Sequence, residues 1–233
     1  MKRIGLLGGM SWESSAEYYR LLNTLVRDRL GGLHSADCVL RSVDFAEVEA
    51  MQVQGHWREA GELLAEAAVG LEAAGAEVIV LCTNTMHKVA DAIESAVGVP
   101  FLHLADATAE AAEAAGLHKL GLLGTAFTME QDFYRDRLAS HGLDVVVPDD
   151  ADRALVHRVI YDELCLGIVS PESRAAYVEI IGRLVEQGCE GVILGCTEIE
   201  LLVADQDSPV PLLPTTRLHA EAAVAFALGA VAG

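Results

Sequence analysis

Basic residues are scarce in this chain. Its 233 residues hold 16 Lys and Arg against 35 Asp and Glu, a formal net charge of −19. Such a surface repels phosphate backbones and anionic headgroups, which argues against nucleic acid and membrane as partners. No apolar run is long enough to cross a bilayer, although 52% of the residues are apolar. The opening Met1–Gly8 stretch is too short and too rich in glycine for a signal peptide and reads as a first strand. Cysteines are few and irregular: Cys38, Cys82, Cys165, Cys189 and Cys196 form no metal pattern. Their odd number argues for reduced thiols in a cytoplasm over a disulfide frame. The Gly8-Gly9 loop resembles a phosphate cradle, but it lacks both the Rossmann spacing and a P-loop lysine, which argues against a nucleotide.

What the chain does have is regular alternation. Short aliphatic runs at Arg3–Leu7, Asp37–Ser42, Val78–Leu81, Phe101–Leu102, Lys119–Leu123, Asp144–Val147, Gly191–Leu194 and Leu212–Leu213 read as strands. Between them, helical spacing runs over Ser14–Leu30, Glu59–Ala74, Val89–Ala96, Asp106–Ala115, Met129–His141, Asp152–Cys165, Ser173–Gln187 and Thr215–Leu228. This order predicts an α/β protein, its parallel sheets covered by helices on both faces.

The chain also repeats itself. Gly5-Leu6-Leu7-Gly8 returns as Gly121-Leu122-Leu123-Gly124, and Tyr19-Arg20 as Tyr134-Arg135. The segment from Gly75 to Thr85 aligns without a gap to that from Gly188 to Glu198. Matches in the same order at nearly the same offset mark a duplicated α/β unit. The expected domains are residues 1–98 with 209–233, and residues 99–208. Val99-Pro100 serves as one crossover and Asp207–Pro211 as the other, after which the last strand and helix return to the first domain. Ligands of open α/β sheets bind at the carboxyl ends of the strands. Here those ends are Gly8–Ser11, Cys82–His87, Gly124–Thr128 and Gly195–Glu198, all rich in Gly, Ser, Thr and Asn. The expected site is the cleft between two pseudo-symmetric domains.

The gap-free alignment sets Thr83 opposite Cys196, Asn84 opposite Thr197 and Thr85 opposite Glu198, and leaves Cys82 opposite Gly195. Side chains alternate along a strand, so Cys82 and Thr83 point in different directions. Cys82 is therefore not the partner of Cys196; Thr83 stands in that place. Here the chain resembles a known family. Leu81-Cys82-Thr83-Asn84-Thr85-Met86-His87 and Leu194-Gly195-Cys196-Thr197-Glu198-Ile199 are similar to the two active-site motifs of the aspartate/glutamate racemases. That superfamily is independent of pyridoxal phosphate and includes hydantoin racemases, maleate isomerases and arylmalonate decarboxylases. Gly5-Leu6-Leu7-Gly8-Gly9-Met10-Ser11-Trp12 resembles the aspartate racemase branch more narrowly.

Two departures from the family pattern matter. Members usually carry Cys-Asn-Thr in the first half, whereas Thr83 takes the cysteine's place here; this resembles the racemases specific for L-aspartate and L-glutamate, which use a threonine and a cysteine. Cys165 falls where typical aspartate racemases have a lysine near the catalytic thiol. The resemblance implies racemisation without a cofactor, an amino-acid substrate and a homodimer. A thiol titrates near ~8.5 and lower beside hydrogen-bond donors, so Cys196 is expected as the base. A threonine hydroxyl can donate a proton to a carbanion but abstracts one poorly, which makes L to D the favoured direction.

Asn84, Thr85 and Thr197 lie beside the pair, and Met10, Thr125 and Thr128 come from equivalent strand ends. Such neutral donors suit a developing carbanion. Gln52 resembles a family side-chain contact, and Glu198 suits the substrate ammonium. Blander readings stand beside these: Thr83 as a strand-end cap, and Cys38, Cys82 and Cys189 as core thiols. His87 either completes the site or serves the fold, and Cys165 either faces the cleft or packs on a helix. Two other functions use the same features, namely decarboxylation or cis–trans isomerisation of a small dicarboxylate, and ligand sensing without catalysis.

Overall fold

The computed structural model describes residues 1–229, which divide into two compact units. The first comprises Met1–Leu104 with the chain from His219 onward, and the second Ala105–Leu218.

The first unit runs β1 (Ile4–Gly8), α1 (Trp12–Leu30), β2 (Cys38–Ser42), α2 (Phe45–Gln54), α3 (Trp57–Ala73) and β3 (Val78–Leu81). A 3₁₀ turn (Thr85–Val89), α4 (Ala90–Ala96) and β4 (Phe101–Leu102) complete it. Next come α5 (Leu104–Ala114), β5 (Lys119–Gly124), α6 (Ala126–Glu130), α7 (Asp132–Ser140), β6 (Asp144–Val146) and α8 (Asp150–Asp162). After a 3₁₀ turn (Leu164–Leu166) follow α9 (Pro171–Glu186), β7 (Gly191–Gly195) and α10 (Ile199–Leu202). Another such turn (Asp205–Asp207), β8 (Leu212–Pro214) and α11 (Thr215–Leu228) end the described chain.

Each unit holds one four-stranded sheet, paired in parallel throughout, in the orders β2-β1-β3-β4 and β6-β5-β7-β8. The two orders are the same, strand for strand, as a duplicated sequence requires. Alternation along the strands splits the core of the first unit in two. Leu7, Ile79 and Leu81 face Val48, Leu64, Ala68 and Leu71 of α2 and α3. Leu6, Val78, Val80 and Cys82 face Tyr18, Leu22 and Val26 of α1 and Ala220, Ala223 and Val224 of α11. Each fully buried Leu or Val here contributes roughly 1.5–3 kcal/mol of transfer free energy. Tyr18, Leu22 and Val26 recur at helical spacing, which puts them on one face of α1. Ser11 caps that helix by accepting from the Ser14 N–H, and Gly31 ends it at φ 76°.

The expected domain boundaries move. Phe101–Leu102 pairs with β3 and stays in the first unit, and Leu212–Pro214 pairs with β7 and stays in the second. The chain therefore crosses after Leu104 and again within α11, so only the helix returns and not the last strand. The helix expected over Met129–His141 is broken at Gln131, whose backbone is extended (φ −93°, ψ 147°). No described helix is long and apolar enough to cross a membrane.

Candidate functional site

In the first unit the site residues gather at the carboxyl ends of β1 and β3. Gly9 turns the chain at φ +93°, where an added Cβ would strike the Val43 backbone, so glycine is required twice over. Its N–H donates to Ser15 Oγ (2.8 Å), which in turn donates to the Ser11 carbonyl (3.0 Å). Ser14 Oγ donates to the Cys82 carbonyl (3.1 Å), tying this loop to the end of β3. Met10 is buried in the core with Leu7 and Met86, and the Gln52 amide donates to Met86 Sδ (2.9 Å).

Cys82 has no exposed surface, and its side chain belongs to the core against α1 and α11. Burial pushes its thiol far above the ordinary range. Thr83, the next residue, is only half-buried, and its N–H donates to the Leu81 carbonyl (2.9 Å). Asn84 and Thr85 follow, both buried. The two neighbours thus have the different environments that strand alternation requires.

In the second unit the corresponding ends are those of β5 and β7. Thr125 caps α6, accepting from the Thr128 N–H (3.4 Å), and the two hydroxyls lie 3.2 Å apart. Thr128 has no exposed surface; its methyl side fills the space in front of Gly124 and Gly195. In this structure it therefore supports Thr125 rather than presenting a surface of its own.

Past β7 the chain turns through Cys196, Thr197 and Glu198 into α10. Cys196 Sγ–H donates to Glu198 Oε2 at 2.9 Å. The thiol is pushed well above its ordinary range, first by burial, then by the adjacent Glu198 carboxylate, with a smaller push from Cys165. The Glu198 backbone N–H does lower the thiol, as expected of a neighbouring donor, but burial and the carboxylate outweigh it and hold the proton on sulfur. Cys165 lies near enough to act on Cys196, on the 3₁₀ turn that α10 contacts.

Two residues that the motifs did not single out complete this end. Thr197 and Thr216 hydroxyls are 2.9 Å apart, and the Thr216 N–H donates to Glu200 Oε1 (3.3 Å). Thr215 Oγ1 donates to the Leu194 carbonyl (2.9 Å), fastening the start of α11 to β7. Their signal was the Thr215-Thr216 pair directly after β8, a strand end like the others.

His87 is buried, and its two ring nitrogens are both engaged by backbone: Nδ1 with the Thr83 carbonyl (2.7 Å) and Nε2 with the Leu104 N–H (3.1 Å). It serves the fold around Thr83. The structure thus places Met10, Thr83, Asn84 and Thr85 at strand ends of one unit, with Gln52 on α2 of the same unit, and Thr125, Thr128, Cys196, Thr197 and Glu198 past the equivalent strand ends of the other.

A protein solved from Yersinia pestis as a candidate Asp/Glu racemase is 58% identical, covering 98% of this chain and 100% of its own, with a TM-score of 0.93. An aspartate racemase homologue from Pyrococcus horikoshii OT3 is 34% identical, covering 98% and 100%, with a TM-score of 0.88. A broad specificity amino-acid racemase of Bacillus subtilis strain 168 is 24% identical over 71% of either chain. The family model for Asp/Glu/hydantoin racemases matches residues 7–223. With that match running across both sheets and all four strand ends, the chain belongs to the Asp/Glu/hydantoin racemase family.

Proposed function

We propose that this protein racemises an acidic amino acid, L-aspartate, L-glutamate or a close analogue, without a cofactor and chiefly from L to D. The observation that carries the reading is the Cys196 thiol hydrogen-bonded to a buried carboxylate, at the strand end equivalent to the one that presents Thr83. Inversion at Cα needs a base on one face and an acid on the other. Cys196 is the base and Thr83 the acid, each at the equivalent strand end of its own unit.

A thiol held protonated must be armed before it can take the α-proton. Glu198 is the acceptor in reach: moving the proton from Sγ to Oε2 leaves a thiolate next to a neutral acid and separates no net charge. The incoming ammonium favours the same negative charge at this spot. After Cys196 has taken the α-proton, the Thr83 hydroxyl gives its proton to the opposite face, and solvent restores both groups. The surface charge of −19 disfavours an anionic substrate at long range, so its carboxylates are captured by local neutral donors, Asn84, Thr85, Thr125 and Thr197.

The test is incubation with L-aspartate and L-glutamate in D₂O, following α-proton loss and product chirality. Deuterium at Cα together with D-product is expected, faster from L than from D. Equal turnover of both enantiomers would remove the Thr83 assignment. A changed carbon skeleton would point to decarboxylation or isomerisation on the same scaffold, and binding without exchange to a sensor.

A further inference from the structure

Thr83 is placed by its backbone. It lies beyond the last residue of β3, and among the described residues its hydroxyl has no hydrogen-bond partner. A β-branched side chain has little freedom at χ1, so wherever the main chain sits, the hydroxyl follows. The groups that hold the main chain there are the Leu81 carbonyl, which accepts from the Thr83 N–H, and His87, which takes the Thr83 carbonyl.

The chemistry around the His87 ring fixes its tautomer. Leu104 offers an N–H, so Nε2 must be the acceptor; Thr83 offers a carbonyl, so Nδ1 must carry the hydrogen. Burial and the nearby rings of His103 and His219 keep the ring neutral by pushing its pKa well below the ordinary value. Leu104 is the residue after which the chain leaves the first unit, and His219 the one at which it returns. His219 is itself held, with Tyr18 Oη 2.9 Å from Nδ1 and the Leu102 carbonyl 2.8 Å from Nε2. The ring centroids of His103 and His219 lie 4.6 and 5.8 Å from that of His87. Leu104 is thus hydrogen-bonded to the ring that holds Thr83, and His219 packs beside that ring.

We propose that His87 is a positioning residue: it clamps the Thr83 carbonyl to the first N–H of α5, and so aims the hydroxyl that returns the proton. This rests on the racemase reading and adds a role that is separable from chemistry at Cys196. A lost clamp leaves proton abstraction from the L-enantiomer intact and impairs delivery to the opposite face. Misplacement of a reacting group by about 1 Å can cost about a hundredfold in rate.

Two substitutions divide the clamp. An asparagine amide nitrogen sits close to where Nδ1 was, so His87→Asn keeps the donor to Thr83. A glutamine carbonyl reaches where Nε2 was, so His87→Gln keeps the acceptor for Leu104 and gives up Thr83. L-substrate is incubated in D₂O, and two rates are read: deuterium gain in recovered L-substrate and formation of D-product. His87→Gln should lower D-product formation by about tenfold or more while exchange into the L-enantiomer stays within about twofold. His87→Asn should keep both near wild type. A parallel fall of both rates in both variants, or no change in either, overturns the proposal, since a residue serving only the core predicts exactly that pattern. Wild type without any α-proton exchange would instead sink the racemase reading. The clamp is then decided by ¹⁵N-labelled histidine spectra: a neutral His87 with its hydrogen on Nδ1 supports it, and one with its hydrogen on Nε2 overturns it.

Discussion

At the scale of single residues, the proposed chemistry turns on the distance between Cys196 and Glu198. Burial and then the 2.9 Å contact with Glu198 raise the thiol, and in the proposed reaction the same carboxylate accepts that proton when substrate arrives. These two effects have opposite signs, and Glu198→Gln separates them. Loss of the carboxylate removes the charge that raises the thiol, so its pKa falls part of the way back, with burial still holding it up. Alkylation of Cys196 by iodoacetamide at pH 8, followed on the peptide that carries it, should therefore become several-fold faster. Racemisation should fall by about 10²–10⁴, the usual contribution of a positioned acid–base group. If alkylation slows along with racemisation, Glu198 is a partner of the thiolate rather than the holder of its proton.

At the scale of elements, strand ends are where loops of unrelated length converge, and glycine lets them approach. An added Cβ at Gly195 would sit 2.9 Å from the Leu123 carbonyl and 3.1 Å from Leu122 Cδ1. Gly195→Ala must then part β5 from β7, and it should destabilise the protein by about 1–3 kcal/mol, the usual cost of overpacking. Gly182, within α9 of the same unit, has nothing within 4 Å of such a Cβ. Gly182→Ala should stabilise by about 0.5–1 kcal/mol through helix propensity. Urea melts of the two variants check the contrast; equal shifts would remove it. The elements were largely legible beforehand. All eight strands were visible; β1, β3, β5 and β7 stood out most because buried parallel strands read as continuous aliphatic runs, and the gap-free repeat separated Thr83 from Cys82. What stayed hidden was less periodic. Helix α2 buries only Val48 and Gln52, so its main signals were the Asp44 cap and Gly55 at its end. The break at Gln131 and the pairing of β8 with β7 depend on tertiary partners. The duplication does imply that pairing, since β8 occupies the place of β4. The raised thiol was hidden for the same reason: a motif shows Glu198 two residues away, and only the turn into α10 brings its carboxylate onto sulfur.

At the scale of the whole molecule, two features make stability depend on pH, and they act with opposite sign in different windows. His87 is buried neutral, with His103, His219, Phe101 and Tyr18 among the groups around it or its ring neighbours. Its folded pKa lies well below the ordinary value of about 6.5, so below that pH the unfolded chain binds a proton that the folded chain does not. Stability is thus fully present above about pH 6.5 and is lost as the pH falls, by at most about 1.4 kcal/mol per pH unit for this one proton. The excess of 35 acidic over 16 basic residues works the other way. Protonating crowded surface carboxylates near and below about pH 4.5 relieves repulsion in the compact state. Salt tells the two apart, because it screens exposed charges and hardly reaches a buried ring. The urea midpoint of the wild type should fall between pH 7 and pH 5.5, and the size of that fall should be the same in 50 mM and 500 mM salt. His87→Asn carries no titrating ring and should flatten the slope in this window. A slope that salt abolishes would place the acid sensitivity in exposed charges, and one that His87→Asn leaves untouched would place it in groups other than the ring behind Thr83.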